Sequence, residues 1–341
     1  MSHCPPLVLP SASPASSGML ASANERKQAL IEEIHTLKRE KNALILAHLY
    51  ERVDVQDVAD VWGDSLGLSQ RAAETDADLI IFCGVHFMAE TAKLLNPAKT
   101  VYLANPNAGC PMADMITAKD LEAFKAKHPG LPVLAYVNTS AEVKALSDYC
   151  CTSANASDVA RFAAQECGVG EILFVPDRNL ARYVQTQVPE VKITYYEGFC
   201  PTHMRMEVAD VIKLQQQYPE AALLVHPECD DPIKDLADFI GSTTAIVQAA
   251  KASDKPVFIV ATEDGVSQRL AADCPEKLFI TPTRASAICP NMKLTRLENI
   301  RNSLLGNNTP IEIAPHLVEP ATRCIESMMR VPRGEKVRLN P

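Results

Sequence analysis

Cys110, Cys200 and Cys289 are 90 and 89 residues apart, and each is followed directly by proline. Thiolates are soft ligands that suit zinc and iron–sulfur clusters. Three of them at one point would make a metal or cluster site that lacks a fourth protein ligand. An open coordination position is where a substrate can bind, so the count of three points toward catalysis rather than a closed structural site.

The interval between the cysteines is also the period of a repeat running through the chain. The first unit opens with ALILAHLY, the second with PVLAYVNT and the third with ALLVHPE. His48, Tyr136 and His226 stand at the ends of these apolar runs, with Tyr50, Asn138 and Glu228 two residues further on. Ser65, Ser153 and either Ser242 or Thr243 follow at the next junction, and one cysteine closes each unit.

Within a unit, short apolar runs such as Leu44–Ala47, Leu79–Phe82 and Val101–Leu103 lack polar alternation and read as buried strands. Segments with helical spacing lie between them, for example Val55, Val58, Ala59 and Trp62, or Leu180, Tyr183 and Val184. Alternation of this kind predicts parallel sheets with crossover helices. The expected fold is α/β, with three pseudo-symmetric three-layer αβα domains around a central site. The units are set at 25–109, 110–199 and 200–289, after a disordered Ser/Pro/Ala-rich tail at 1–24. Helices are expected over Glu25–Lys41, Lys119–His128, Glu207–Tyr218 and Lys293–Leu305, with segment 290–341 packed beside the first unit.

Open parallel sheets bind ligands beyond the carboxyl ends of their strands, where loops lead into helix N-termini. The strand-end His48, Tyr136 and His226 fit that position. Ser65, Ser153 and Thr243 stand just ahead of helices, where backbone N–H groups attract carboxylate and phosphate. Taken singly, such hydroxyls are ordinary caps and such histidines ordinary hydrogen-bonders. Their recurrence in register across three units favours a shared anion-binding pocket.

Composition narrows the function further. A net charge of −9, without a basic cluster, argues against nucleic-acid binding. No run is long enough for a membrane span. With neither an apolar signal core nor an arginine-rich leader, a cytoplasmic protein with reduced thiols is expected. There is no C-x-x-C pair, which removes the usual zinc knuckle. Cys83, Cys150, Cys151 and Cys167 are expected to be small core residues. Cys229, next to Glu228, has no counterpart in the other units.

The strings AHLY (47–50), GDSL (63–66), GVHFMAETAKLLNP (84–97), YVNTSAEVKA (136–145), TSANA (152–156), HPE (226–228) and GST (241–243) resemble the quinolinate synthase A family. The resemblance covers about residues 25 to 305 and holds in order and spacing. It implies condensation of iminoaspartate (iminosuccinate) with dihydroxyacetone phosphate to quinolinate, a step of de novo NAD biosynthesis. It places a [4Fe–4S] cluster on Cys110, Cys200 and Cys289, with one iron open as a Lewis acid. His48, Ser65, Tyr136, Asn138, Ser153, His226, Glu228 and Thr243 would contact the dicarboxylate and phosphate groups. Tyr50 and His203 would transfer protons, with Glu228 and His226 assigned to acid–base work. The partners implied are the two small molecules, with functional coupling to an L-aspartate oxidase or dehydrogenase, and no nucleic acid or membrane.

Two departures from the family pattern stand out. Leu49 occupies a place where polar or aromatic residues are frequent in the family. Cys289 also lacks the neighbouring cysteine that some relatives carry, so no local disulfide switch is expected. Three other readings remain open on the residues alone. One is a different open-iron dehydratase of a small dicarboxylate, the second a metal or cluster sensor, and the third a threefold scaffold with buried cysteines.

Overall fold

The computed structural model describes residues 14–331. The first unit contains α1 (Pro14–Glu40), β1 (Ala43–His48), α2 (Val53–Val58), β2 (Val61–Gly63), α3 (Ser65–Glu74), β3 (Leu79–Cys83), α4 (His86–Leu95) and β4 (Thr100–Leu103). The second contains α5 (Ala118–Lys127), β5 (Val133–Tyr136), α6 (Ala141–Ala145), β6 (Tyr149–Cys151), α7 (Ala156–Cys167), β7 (Glu171–Val175), α8 (Arg178–Gln187) and β8 (Lys192–Tyr195). The third contains α9 (Pro201–Met204), α10 (Val208–Gln217), β9 (Ala222–Val225), α11 (Asp231–Lys234), β10 (Phe239–Ile240), α12 (Thr243–Ala252), β11 (Val257–Ala261), α13 (Asp264–Asp273) and β12 (Leu278–Ile280). Two further helices follow, α14 (Leu297–Leu304) and α15 (Pro315–Arg330).

Each unit is a four-stranded parallel sheet covered by helices on both faces. The strand orders β2-β1-β3-β4, β6-β5-β7-β8 and β10-β9-β11-β12 are one topology used three times. The central strands β5 and β9 are buried at every residue, as the unbroken apolar runs require when both faces are covered. The helices are amphipathic: α8, for example, buries Leu180, Ala181 and Val184 on one side.

Backbone geometry repeats as closely as topology does. Asp60 Oδ2 accepts from Ile45 N at 2.9 Å, Asp148 Oδ2 from Val133 N at 2.8 Å and Asp238 Oδ2 from Leu223 N at 2.7 Å. Each of these aspartates stands just before the short second strand of its unit and holds that edge strand against the first.

Several expectations need correction. Helix α1 begins at Pro14, so residues 14–24 of the expected disordered tail are helical, whereas 1–13 lie outside the described residues. Proline is favoured in the first turn of a helix, and the stretch after it is rich in alanine. Trp62 belongs to β2 rather than to a helix, because α2 ends at Val58. Cys167 is exposed at the end of α7, beside Tyr149 Oη at 3.3 Å, and is not a core residue. Segment 290–331 does not stay with the first unit. Helix α14 packs on α1 and β3, and Ile311 N donates to Val101 O at 2.8 Å beside β4. Helix α15 then crosses to α6 and β6 of the second unit while touching α3 and α4 of the first.

Helix α15 helps to close one apolar core shared by the first two sheets. This core joins Leu46, Ile80 and Phe82 to Leu134, Ile172 and Phe174, with Ala321, Cys324, Ile325 and Met328 from α15. The third sheet is packed by separate clusters, one of which also takes in Leu49, with Tyr50 and Trp62, from the first unit. None of the described helices is long and apolar enough to cross a membrane.

Candidate active site

The three cysteines, His203 and the strand-end and helix-start candidates His48, Tyr50, Ser65, Tyr136, Asn138, Ser153, His226, Glu228 and Thr243 line one cavity, enclosed where the carboxyl ends of the three sheets meet. Its volume is about 90 Å³. A single water needs roughly 10–15 Å³ on that measure, so the space suits a small molecule. Each unit supplies a trio with the same spacing: His48, Tyr50 and Ser65; Tyr136, Asn138 and Ser153; His226, Glu228 and Thr243. That spacing decides between the two candidates in the third unit. Thr243 lines the cavity, whereas Ser242 is the buried cap of α12 and accepts from Ala245 N.

The hydroxyls therefore do not cap their helices, as the sequence alone had suggested. In α3 that role falls to Asp64, whose side chain accepts from Gly67 N. Ser65 and Thr243 are instead the first helical residues, which leaves their N–H groups at the positive end of the helix. Asn138 Oδ1 is buried without a hydrogen-bond partner, an acceptor left for whatever enters.

The three cysteines occupy equivalent corners. Each follows the fourth strand of its unit and begins a short helical turn. Asp114 N donates to Cys110 O at 3.1 Å, Met204 N to Cys200 O at 3.0 Å and Lys293 N to Cys289 O at 3.2 Å. The residue two places before each cysteine is tied to the helix after the third strand. The bonds run from His86 N to Ala108 O (2.8 Å), Arg178 N to Gly198 O (2.9 Å) and Asp264 N to Ala287 O (3.0 Å). In the second unit this position admits only glycine, since a Cβ on Gly198 would stand 2.6 Å from Pro176 O.

Backbone N–H groups at the starts of these turns point at the sulfurs: Ala113 and Met112 at Cys110, His203 at Cys200, and Met292 and Asn291 at Cys289. Burial pushes the Cys110 thiol up to about 12 and raises Cys200 and Cys289 as well. The sulfurs also repel one another's ionised forms: Cys289 acts on Cys110, and both act on Cys200. Such a group deprotonates readily only onto a cation. Convergent buried thiols with amide donors aimed at them fit a metal–sulfur group. The remaining polar groups on the cavity wall offer oxygen and nitrogen, with no fourth thiol among them. Cys200 also belongs to a second possible donor set. Its sulfur, a His203 nitrogen and a Glu228 oxygen lie within 4.8 Å of one another.

Beside the thiols runs a chain of polar side chains. Tyr136 Oη donates to Glu228 Oε1 at 2.6 Å. Glu228 Oε2 is 2.9 Å from His203 Nδ1, an ion-pair distance at which the N–H is not aligned for a hydrogen bond. His203 Nε2 is 3.0 Å from Thr262 Oγ1, which in turn lies 2.9 Å from Tyr50 Oη. His226 stacks on His203 with ring centroids 4.9 Å apart.

The electrostatics divide these groups by role. Burial pushes the Glu228 carboxyl up, but His203, His226 and the Tyr136 hydroxyl outweigh it and hold the group ionised. Burial, followed by the Glu228 charge, raises both Tyr50 and Tyr136, so their phenols stay protonated. Burial lowers His48 to about 4 and His226 to about 3, leaving neutral imidazoles. Their Nδ1 atoms accept from Tyr50 N (3.2 Å) and Glu228 N (3.3 Å), which assigns the ring protons to Nε2.

Some cavity residues were not foreseen. Glu263 follows β11, and Arg205 lies at the end of the turn that carries His203. Thr262, just before Glu263, is buried behind the wall and touches His203 and Tyr50. The signal available was the end of the third strand in each unit. Cys229 points away from the cavity, donating to Ala261 O at 3.3 Å within the third unit's core. Lys93 binds the carbonyls of Pro97 and Lys99 at the end of its helix and does not line the cavity.

Comparison with known proteins bears out the family resemblance of the sequence. The family described as quinolinate synthetase A protein matches residues 32–330. A quinolinate synthase of Geotalea uraniireducens (strain Rf4) is 47% identical over 301 residues, covering 88% of this chain and 97% of the relative. One from Clostridium kluyveri is 48% identical over 304 residues, covering 89% and 98%. One from Thermodesulfovibrio yellowstonii is 45% identical over 299 residues, covering 88% and 97%.

Proposed function

The chain belongs to the quinolinate synthetase A family, and from that premise we propose that it condenses iminoaspartate with dihydroxyacetone phosphate to quinolinate, releasing phosphate and two molecules of water. The observation that carries this reading is the meeting of three thiols, three anion-favouring trios and one proton-transfer chain in a single cavity. Both substrates are small anions, and the reaction needs several proton movements without net oxidation.

Cys110, Cys200 and Cys289 would hold a [4Fe–4S] cluster. When bound through three thiolates, such a cluster supplies one iron as a Lewis acid for substrate oxygen or nitrogen. A sensor would need the thiols but not the three trios, and a bare scaffold would need neither.

The protein's own groups do the rest. Ser65, Ser153 and Thr243, with His48, Tyr136, Asn138 and His226, bind and orient the carboxylates and the phosphate. Ionised Glu228 is the base for carbon-bound protons, with His203 beside it. Tyr50, kept protonated, is the acid that donates to departing oxygen. Thr262 joins His203 to Tyr50, so those two groups can exchange a proton through its hydroxyl. The split between an ionised carboxylate and neutral phenols gives this acid–base division. Iminoaspartate hydrolyses readily, so an enzyme that oxidises aspartate, an oxidase or a dehydrogenase, must supply it; coupling to such an enzyme belongs to this proposal.

Anaerobically purified protein should be coloured, contain iron and sulfide, and form quinolinate only when the triose phosphate is present. Product formed without the triose phosphate would favour a dehydratase instead. Cys289→Ser should abolish activity together with cluster retention, since no second cysteine stands nearby. Normal turnover by that variant would remove Cys289 from the ligand set.

A further inference from the structure

Behind Cys289 lies a buried ion pair that the proposed reaction does not use. Glu263 follows β11 and is fully buried. Its Oε2 accepts from Gly265 N at 2.7 Å, and its Oε1 accepts from the backbone N of Cys289 at 3.1 Å. Lys293 Nζ lies 3.1 Å from Oε1 and 3.2 Å from Oε2 of the same carboxylate. The ammonium also donates to the backbone carbonyl of Tyr50, in the first unit. One carboxylate thus holds the loop of a thiol, and its lysine partner holds the strand end that carries the phenol.

The pseudo-symmetry provides an internal control. Lys293 stands four residues after Cys289, where the other units have Asp114 and Met204. Glu263 sits just before α13, where the first unit has Val85, without a side-chain cap, and the second has Asp177. Asp177 spends one oxygen capping α8 at Leu180 N, and its other oxygen is unpartnered. Among the described residues, only the third corner carries such a carboxylate–lysine pair, and its ammonium reaches the Tyr50 carbonyl of the first unit.

The packing there leaves no slack. A Cβ on Gly265 would lie 2.8 Å from Glu263 Oε2, 2.8 Å from Leu49 O and 2.9 Å from Lys293 Nζ. Glycine is what allows three segments to close on the pair. Glu51 is also buried nearby, with neither oxygen hydrogen-bonded, and burial pushes it up to about 8. Burial raises the Glu263 carboxyl too, but Lys293, followed by the Gly265 and Cys289 amides, works against that rise. Taking two charges out of water is costly, so such a pair contributes chiefly to geometry.

We propose that Glu263 and Lys293 are positioning residues, which fix the Cys289 loop and the Tyr50 backbone relative to each other across the junction of the third and first units. The proposal rests on the functional reading above for its kinetic part only. The test uses full-length, anaerobically reconstituted protein and compares Glu263→Gln, Lys293→Met and Lys293→Arg. Partners that orient metal ligands typically change metal affinity or activity by about 10- to 100-fold.

Glu263→Gln should release iron to a chelator roughly 10- to 100-fold faster, because the Cys289 amide loses its charged acceptor. Lys293→Met should keep iron within about threefold of the parent yet lose roughly 10- to 100-fold in kcat, with KM little changed. Lys293→Arg should recover most of that kcat, because the charge and the donors are restored. Iron retention and turnover within twofold of the parent in both Glu263→Gln and Lys293→Met would overturn the proposal. So would a loss of iron and kcat that merely follows a common fall in thermal midpoint, with no recovery by arginine. If the parent makes no quinolinate while the iron-release contrast remains, the functional reading fails and the positioning role of Glu263 stands.

Discussion

The first and second units share one broad apolar core, whereas the third meets them through a smaller apolar contact at Leu49, Tyr50 and Trp62 and through a set of polar groups. Between the first two sheets runs one continuous apolar core, closed by α15. At the third unit the polar crossing contacts include Tyr136 to Glu228, Tyr50 to Thr262, Arg182 to Asp231 and Arg269 to Asp57, with Lys293 reaching from Glu263 to the Tyr50 carbonyl. Asn179 Nδ2 also donates to Glu228 O, and Lys234 Nζ donates to Asn179 O. Apolar burial is strong and indifferent to detail, so it suits a fixed platform. Buried polar contacts add little net stability but require one geometry. The proposed chemistry lies at the junction where geometry, rather than adhesion, is specified.

The sharpest way to break this contrast is Glu228→Gln. The carboxylate touches Tyr136 and His203 and is the proposed base. General acid–base groups contribute about 10²–10⁴-fold, so kcat/KM should fall by that order. Stability should fall modestly, because the surroundings favour the ionised carboxylate and the isosteric amide keeps only part of its contacts. Activity measured per bound iron, together with a thermal melt, checks both halves. A large drop in melting temperature with activity intact would mean that the polar junction is glue after all.

Ile325→Ala probes the other junction and should give the reverse pattern. Ile325 is fully buried in the shared core on α15. An isoleucine-to-alanine change in a core costs about 2–5 kcal/mol, set by how far the site can collapse. Urea unfolding should show that loss, while kcat stays near the parent value well below the transition. A fall in kcat of the size expected for Glu228→Gln would show that α15 reaches the site and that the platform is not passive.

This contrast also separates what could be read in the sequence from what could not. Strand-end residues such as His48, Tyr136 and His226 were legible because buried parallel strands have a simple signature and the repeat fixed their register. The cysteines were legible for the same reason. Thr262, Glu263 and Lys293 were not, since each takes its meaning from a residue far away in the chain. Asp64 and Ser242 were missed as caps because neighbouring polar residues compete for that role, and only backbone angles decide between them. Helix α15 was unreadable in its placement: its apolar face shows that it docks, but nothing local states against which unit.

The smallest effect should come from Asp57→Asn. Arg269 Nη1 lies 2.7 Å from Asp57 Oδ1, linking the third unit to the first at the rim. The Asp57 side chain is 57% exposed, so water and salt screen the pair. Arg269 would also keep its bond to Asp273 at 2.8 Å and its place over the Trp62 ring, 5.4 Å from the centroid. The guanidinium is therefore held with or without Asp57. Exposed ion pairs contribute roughly 0–1 kcal/mol, so the loss should lie in that range and shrink further at high salt. Turnover should be unchanged. A cost comparable to that of Ile325→Ala, persisting in salt, would mean that rim charges rather than buried polar contacts hold the third unit in place, and the polar junction would then extend to the surface.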